Sequence, residues 1–402
     1  MNKKILYFGS FYTLRAVEER GLPSRNIAGY NRMKRFAHAL IAIGVDVEII
    51  SSAVCMRPKW KGALLYPALF EKVEGIKVQS VKMLGIPFVG FFFEPFFLCL
   101  WALKNIKRGD VSGVLIYNFN PAYAWLAILL KILRIPFFSQ IEDVSIPELR
   151  DWGRNSETRP IQQILYWFCM RVMTALSKGI IVPSRRFCVA FNISKPQLVI
   201  TGCMDTKEFV VERSLLNARP LKVLFVGKYQ KEHGVDVLCD AIRLLRKDSS
   251  IAGALEFHCC GSKNYIEELK TLSQETKEPS VILHGFLNDQ EYKDLLQSSH
   301  IALALQKSNG RHSQYKTPSK AYEFQAYGKL VLAYDIGDLA DLADDKLALL
   351  REESAEELYK VLKDCLSRPE YWSKIRDRGA MYACHEYSSG NVGRKLVDFF
   401  NF

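Results

Sequence analysis

The feature that most constrains this chain is an opening that occurs twice. Residues 4–10 read KILYFGS and residues 222–228 read KVLFVGK. Each is a short apolar run, of the kind buried on both faces of a sheet, closed by a glycine. Each leads through a looped stretch into an amphipathic helical segment. Two such starts in 402 residues imply two α/β units, and the length agrees, because one hydrophobic core seldom organises more than about 250–300 residues.

Periodicity extends the pattern. In the first half a strand at Ile5 to Phe8, a helix from about Gly29 to Ile43 and a strand at Val47 to Ser51 form a βαβ opening, and apolar runs recur at Val114 to Tyr117, Pro136 to Ile141, Gly179 to Val182 and Gln197 to Thr201. After a linker near Asn217 to Pro220, strands are expected at Ala254 to Cys260, Val281 to Leu283, Ile301 to Leu305 and Leu330 to Tyr334, with helices around 266–275, 290–298 and 319–327. Strands alternating with helices call for a parallel sheet covered on both faces. Beyond Asp345 the chain turns helical, at Ser354 to Leu366, Pro369 to Cys384 and Val392 to Phe400.

Composition narrows the function classes. Hydrophobic residues at 49% and charged residues at 24% are ordinary for a folded protein, so disorder is excluded. The ten cysteines are scattered without a CxxC pair, several inside apolar runs where a thiol is a small hydrophobe. No zinc site, metal or disulfide is expected, and a strand-like N-terminus in place of a signal peptide points to the cytoplasm. The net charge of +12 suits anionic lipid or phosphorylated ligands; no nucleic-acid motif accompanies it, so nucleic acid is not an expected partner.

Residues 86–108 depart from this soluble pattern. An aromatic run there carries Glu94 and Pro95 in its middle and ends on Lys104, Lys107 and Arg108. A carboxylate and a proline argue against a membrane span. An interfacial patch with a basic flank fits, so the protein would be cytoplasmic and peripheral at the inner face of the membrane. The alternative is a buried helix capped by its own lysines.

The chemistry concentrates in the second half. Thr317 reads as an N-cap with Pro318 at the first helical position, leaving the amides of Ser319 and Lys320 at a positive helix end where a phosphate would sit. Glu323 lies one turn after Ser319 on the same face, suited to a vicinal diol. Gly328 would close the helix. Gly227 and Lys228, followed by His233 and Gly234, place a cation and a turn at the carboxyl edge of the sheet, where doubly wound folds bind ligands. The plain alternative is a capped helix with a solvated Glu323.

These residues resemble the donor-binding half of the retaining, two-Rossmann-domain (GT-B type) glycosyltransferases of family 4, the glycosyltransferase group 1 family. The family's strand, Gly-Arg, loop, Lys-Gly pattern falls on Val226, Gly227, Lys228, His233 and Gly234. Its Pro-Ser-Lys, acidic, Gly-Lys-Pro-Val pattern falls on Pro318 to Val331. Gly285, Phe286 and Leu287 resemble the segment against the nucleotide base, and Gly202 to Phe209 the stretch near the domain junction. The resemblance implies an α/β fold of two Rossmann-like domains in tandem with a deep interdomain cleft. It further implies an acceptor-binding domain over 1–215, with a C-terminal helix at about 386–402 packing back on it, and a nucleotide-sugar-binding domain over 216–385.

The implied activity is sugar transfer from a UDP- or GDP-sugar cosubstrate, with no other cofactor, to a hydroxyl of a glycan or lipid-linked acceptor, as in polysaccharide biosynthesis. Lys228, Ser319 and Lys320 would hold the diphosphate and Glu323 the ribose. Gly9, with Gly29 after it, matches places where the family brings backbone near its substrates, and Glu142 and Asp143 stand where it often has a His-Asp pair. Either carboxylate could serve the acceptor hydroxyl, with Lys228 stabilising the leaving group; Asn118 and Asn120 are lesser candidates. Departures are lysine for arginine at 228, His233 for lysine, and Tyr315 where the first of two acids usually stands. A non-catalytic partner subunit or a nucleotide-sugar epimerase are the alternatives.

Overall fold

The computed structural model describes residues 4–22, 27–52, 63–86, 89–107, 109–142, 160–205, 207, 209, 216–227, 229–261, 266–308, 315, 318–342 and 345–401. Lys228, Asp143, Thr317 and Arg108 lie outside them. The chain forms two compact units, one of residues 1–183, 188–203 and 388–402, the other of residues 184–187 and 204–387.

The first unit runs β1 (Lys4–Gly9), α1 (Leu14–Arg20), α2 (Ile27–Ala42), β2 (Asp46–Ser51), β3 (Leu65–Tyr66), β4 (Leu69–Val73), β5 (Ile76–Ser80), β6 (Met83–Leu84), α3 (Val89–Asn105), β7 (Gly113–Tyr117), α4 (Pro121–Ile132), β8 (Phe137–Gln140), α5 (Pro160–Leu176), β9 (Gly179–Val182), α6 (Arg185–Ala190), whose first residues count with the second unit, and β10 (Gln197–Val199). Its eight-stranded sheet has the order β10-β9-β8-β7-β1-β2-β5-β4. β1 is central, pairing in parallel with β2 (Ile5 opposite Val47) and with β7 (Ile5 opposite Gly113). Every residue of β7, β8 and β9 is buried, as strands covered on both faces require. Tyr7, Phe36, Leu40, Leu115 and Phe138 form part of the core on one face.

The last helix, α13 (Ser389–Phe400), packs on α2 within this unit. Gly393 allows the approach, because a Cβ there would collide with the carbonyl of Ala39. Between β2 and α3 the structure adds strands that helical and parallel-strand periodicity does not announce. β4 and β5 pair antiparallel through a turn at Glu74 and Gly75, both at positive φ, and β3 pairs with β6 over two residues each. Elements this short carry too few alternating residues to register as a period.

The second unit runs β11 (Leu221–Val226), α7 (Val235–Lys247), β12 (Leu255–Cys260), α8 (Glu267–Gln274), β13 (Ser280–Gly285), α9 (Asp289–Ser298), β14 (Ile301–Ala304), α10 (Ser319–Ala326), β15 (Leu330–Tyr334), β16 (Ala348–Leu350), α11 (Ala355–Ser367) and α12 (Pro369–Glu386). The six strands are all parallel in the order β13-β12-β11-β14-β15-β16. Val223, Phe225 and Phe257 point to a core under α7 and α11, while Leu224, Cys260 and Phe324 point to one under α9 and α10. Apart from the antiparallel edge strand β4, both sheets are thus the parallel, doubly covered kind that the repeated opening implies.

Candidate functional site

Strand order places the second unit's site. From β11 the chain proceeds outward to β12 and β13, then returns to β14 on the other side of β11. The carboxyl ends of β11 and β14 therefore flank a switch point, where helices on opposite faces diverge and leave a crevice. Gly227 follows β11 directly, and α10 begins on the connection that leaves β14.

Three neighbouring strands end there on glycine. Gly227, Gly261 and Gly285, after or at the ends of β11, β12 and β13, have φ of +142°, +117° and +70°. The Gly227 amide donates to the Cys260 carbonyl at 3.0 Å and the Gly261 amide to the Gly285 carbonyl at 2.9 Å. A Cβ on Gly261 would stand 2.9 Å from the Gly227 nitrogen, and one on Gly227 would collide with Nζ of Lys320. Left-handed backbone and close approach both demand glycine here. The result is a ledge of bare backbone. Gly261 was not singled out by the sequence, since a glycine after a strand is also an ordinary turn.

α10 differs slightly from expectation. It starts at Ser319, with Pro318 in the cap position and no side-chain cap, one residue later than the pattern Thr317-Pro318 suggested. Proline fixes its own φ and lacks an amide donor, so it serves as well just before the first turn as inside it. The Ser319 and Lys320 amides precede any acceptor within the helix. Ser319 is exposed and Gly328 ends the helix at φ +69°.

Lys320 is turned back under the ledge. Its Nζ donates to the Val226 carbonyl. Burial pushes its ammonium down to about 8, against the opposing pull of Glu323. Water is thus replaced by one carbonyl and a nearby, half-buried Glu323. A desolvated cation beside bare backbone at a helix N-terminus is an arrangement chemically suited to an anion, and holding it costs the fold.

The other expected donor residues are spread along the same edge. His233 ends the short 3-10 turn Lys231–His233, and Gly234 follows at φ +75°, where a Cβ would collide with the Leu305 carbonyl. That turn is pinned to the exit of β14: the Lys307 amide donates to the Glu232 carbonyl at 2.9 Å, and Lys307 Nζ pairs with Asp236 at 2.7 Å. Lys307 is thereby committed to positioning. Phe286 is 64% exposed beside the ledge. The Asn288 capping box starts α9 just after it.

In the first unit Glu142 follows β8 and is held in a network. Its Oε1 accepts from Arg32 Nε at 2.8 Å and from Gln140 Nε2 at 2.7 Å, and Gln140 Oε1 accepts from the Tyr7 hydroxyl at 2.5 Å. Arg32 and Glu142 are 7% and 14% exposed. Arg32 also donates to the Ile200 and Thr201 carbonyls and lies over the Phe36 ring. Nothing in the sequence marked Arg32, which sits on α2, 110 residues from its carboxylate. Asn118, at φ +54°, accepts from the Glu142 amide, and Asn120 caps α4 through the Tyr123 amide, so both side chains hold backbone. Gly9 owes its lack of side chain to Met33, whose Sδ would lie 2.6 Å from a Cβ there.

A further buried carboxyl lies nearby. Glu94 of α3 faces the protein, and burial raises it above the usual carboxylate range, opposed by a hydrogen bond from Ser52. Ser52 in turn shares a 2.8 Å bond with the Tyr123 hydroxyl. The opposite side of α3 is apolar: Phe92 is 76% exposed and Phe96 58%. Among the described residues no helix is long and apolar enough to cross a membrane.

Two α/β units built on parallel sheets, one with a helix N-terminus at its switch point, form the architecture of GT-B glycosyltransferase structures. Solved structures agree on the fold. A glycosyltransferase from Rickettsia africae is 15% identical with a TM-score of 0.67, over 100% of this chain and 98% of that one. Anabaena HepE, in complex with UDP and glucose, is 13% identical with a TM-score of 0.65, over 99% of each chain. An α,α-trehalose-phosphate synthase (UDP-forming) from Burkholderia xenovorans, in complex with glucose-6-phosphate, is 10% identical with a TM-score of 0.67, over 100% of each. No curated protein sequence matches the chain. Residues 220–368 match the family described as Glycosyl transferases group 1.

Proposed function

We propose that the protein transfers a sugar from a uridine or guanosine diphosphate sugar to a hydroxyl of a glycan or lipid-linked acceptor, with retention and without a metal. The observation that carries this is Lys320, a desolvated ammonium lodged against the Gly227 turn at the start of α10. A diphosphate on the ledge would meet the Ser319 and Lys320 amides and the ammonium together, and Lys228 follows Gly227 in the chain. Such preorganised donors stabilise charge growing on a leaving diphosphate. Glu323 would accept from the ribose hydroxyls and Phe286 would offer a ring to the base. UDP accompanies Anabaena HepE, which favours uridine. The acceptor falls to the first unit, whose Glu142 is held by Arg32 and so suits positioning a hydroxyl through its hydrogen-bond network.

The donor reading is tested by titrating UDP, GDP and their sugars against pH. Free Lys320 loses its proton near 8, and a bound diphosphate favours the protonated form. Affinity should be level below pH 8 and fall by up to about tenfold per pH unit above it, with proton uptake on binding. Calorimetry in buffers of different ionisation enthalpy measures that uptake. Absence of binding by every nucleotide tried would refute the assignment.

The exposed aromatic side of α3 supports a membrane contact for the segment 86–108. Phe92→Ser with Phe96→Ser should lower partitioning onto phospholipid vesicles and leave the melting temperature unchanged, because both rings face outward. A fall in melting temperature with unaltered partitioning would instead make them packing residues.

A further inference from the structure

The first unit carries a second basic site at the edge of its sheet opposite Gly9 and Glu142. There the starts of β8 and β9 and the residues entering β10 surround a pocket of about 710 Å³. Its rim carries Lys131, Arg134, Lys178 and Lys195, and no carboxylate lines it. Among the described residues none of the four side chains has a carboxylate partner. Pro136 and Pro196 form part of the apolar remainder.

Four like charges around one cavity repel one another unless an anion enters. Helix dipoles account for part of the arrangement, since Lys131 lies in the last turn of α4 and Lys178 just beyond α5. They do not account for Arg134, held at φ +57° in the turn after α4, or for Lys195, which arrives from before β10. Cations from three separate connections converge on the same space.

The surroundings indicate what the anion belongs to. α3 packs on α4 and α4 on α5, so the three helices form one layer. Each leads into the start of a parallel strand, which brings all three C-termini to the edge where the pocket lies. The outer side of that layer exposes Phe92 and Phe96 of α3, Trp125 and Ile132 of α4, and Phe168 of α5. Ile132, 70% exposed, directly follows Lys131. An apolar face bordered by these cations is complementary to a bilayer with anionic headgroups, whose chains and phosphates are arranged in the same way.

We propose that this pocket binds the phosphate of an anionic phospholipid and seats the first unit on a bilayer through the α3–α5 layer. The proposal rests on the membrane contact suggested for α3, adds a phosphate site and two further helices to it, and is independent of the transfer reaction.

The test uses the full chain without donor. Vesicles of phosphatidylcholine alone are compared with vesicles containing about one third phosphatidylglycerol, in low and high salt. The wild type is expected to favour the anionic vesicles and to be released by salt. Lys178→Gln with Lys195→Gln should lower that partitioning about 25-fold, at about fivefold per cation, with unchanged melting temperature and unchanged UDP binding. Equal partitioning of variant and wild type, or no preference for anionic vesicles, would overturn the proposal. So would stabilisation of the wild type alone by inorganic phosphate without vesicle binding, which would make the site one for a soluble phosphorylated ligand. If Phe92→Ser with Phe96→Ser abolishes partitioning while the lysine variant retains it, the α3 contact stands and the phosphate site falls.

Discussion

Lys320→Met is expected to lower kcat/KM for a nucleotide sugar by about 10²–10³-fold, the range that follows loss of one preorganised donor to developing negative charge, and at the same time to leave the fold as stable as before or more so. The second half of this result separates a functional lysine from a structural one. Burial pushes the Lys320 ammonium from 10.5 to about 8. The folded state therefore binds its proton less well than the unfolded chain does. That difference corresponds to a penalty of roughly 3 kcal/mol when the group is charged, at about 1.4 kcal/mol per pH unit. The sign follows directly: the penalty is complete below pH 8 and fades as pH rises toward the unfolded value. Methionine keeps most of the volume and removes the charge, so thermal unfolding at neutral pH should occur at an equal or higher temperature. A variant that binds UDP like the wild type, or that unfolds several degrees lower, would remove Lys320 from the donor site.

Arg32→Met should do the opposite, costing stability before anything else. Its guanidinium is buried against Glu142 and the Ile200 and Thr201 carbonyls. Removing one partner of such a pair leaves a buried carboxylate unpaired, which costs about 3–5 kcal/mol. Chemical denaturation should show the loss. Glu142→Gln tests the same pair from the other side, since the amide can still accept from Arg32 and Gln140. If Glu142 only holds the fold, Glu142→Gln transfers sugar at the wild-type rate. If it positions the acceptor, donor binding is retained and kcat falls. Wild-type stability in Arg32→Met would show that the network carries little of the first unit's stability.

The two parallel sheets were legible because their strands are buried on both faces and so read as continuous apolar runs. Gly179–Val182 and Leu330–Tyr334 match their strands residue for residue. The Leu69–Val73 and Ile76–Ser80 hairpin was not legible, because five residues on each side of a turn are too few to leave a lasting period. The aromatic run of α3 was legible as unusual but not in its orientation. Sequence put Glu94 in the middle of a hydrophobic stretch, whereas the structure turns that carboxyl inward to Ser52 and leaves the phenyl rings outside.

The feature first met, the twice-occurring strand and glycine, is local, and so it could be read locally. A left-handed glycine after a buried strand and a Pro-Ser-Lys helix start are conditions on adjacent backbone, written in adjacent residues. Convergence across the chain is a different matter. That Lys320 lies against Gly227, that Gly261 completes the ledge, that Arg32 meets Glu142, and that Lys131 and Lys195 share a pocket all depend on which strands become neighbours. Strand order is decided by how helices and sheets bury their apolar faces together, a sum over many residues, and only the folded chain performs that sum.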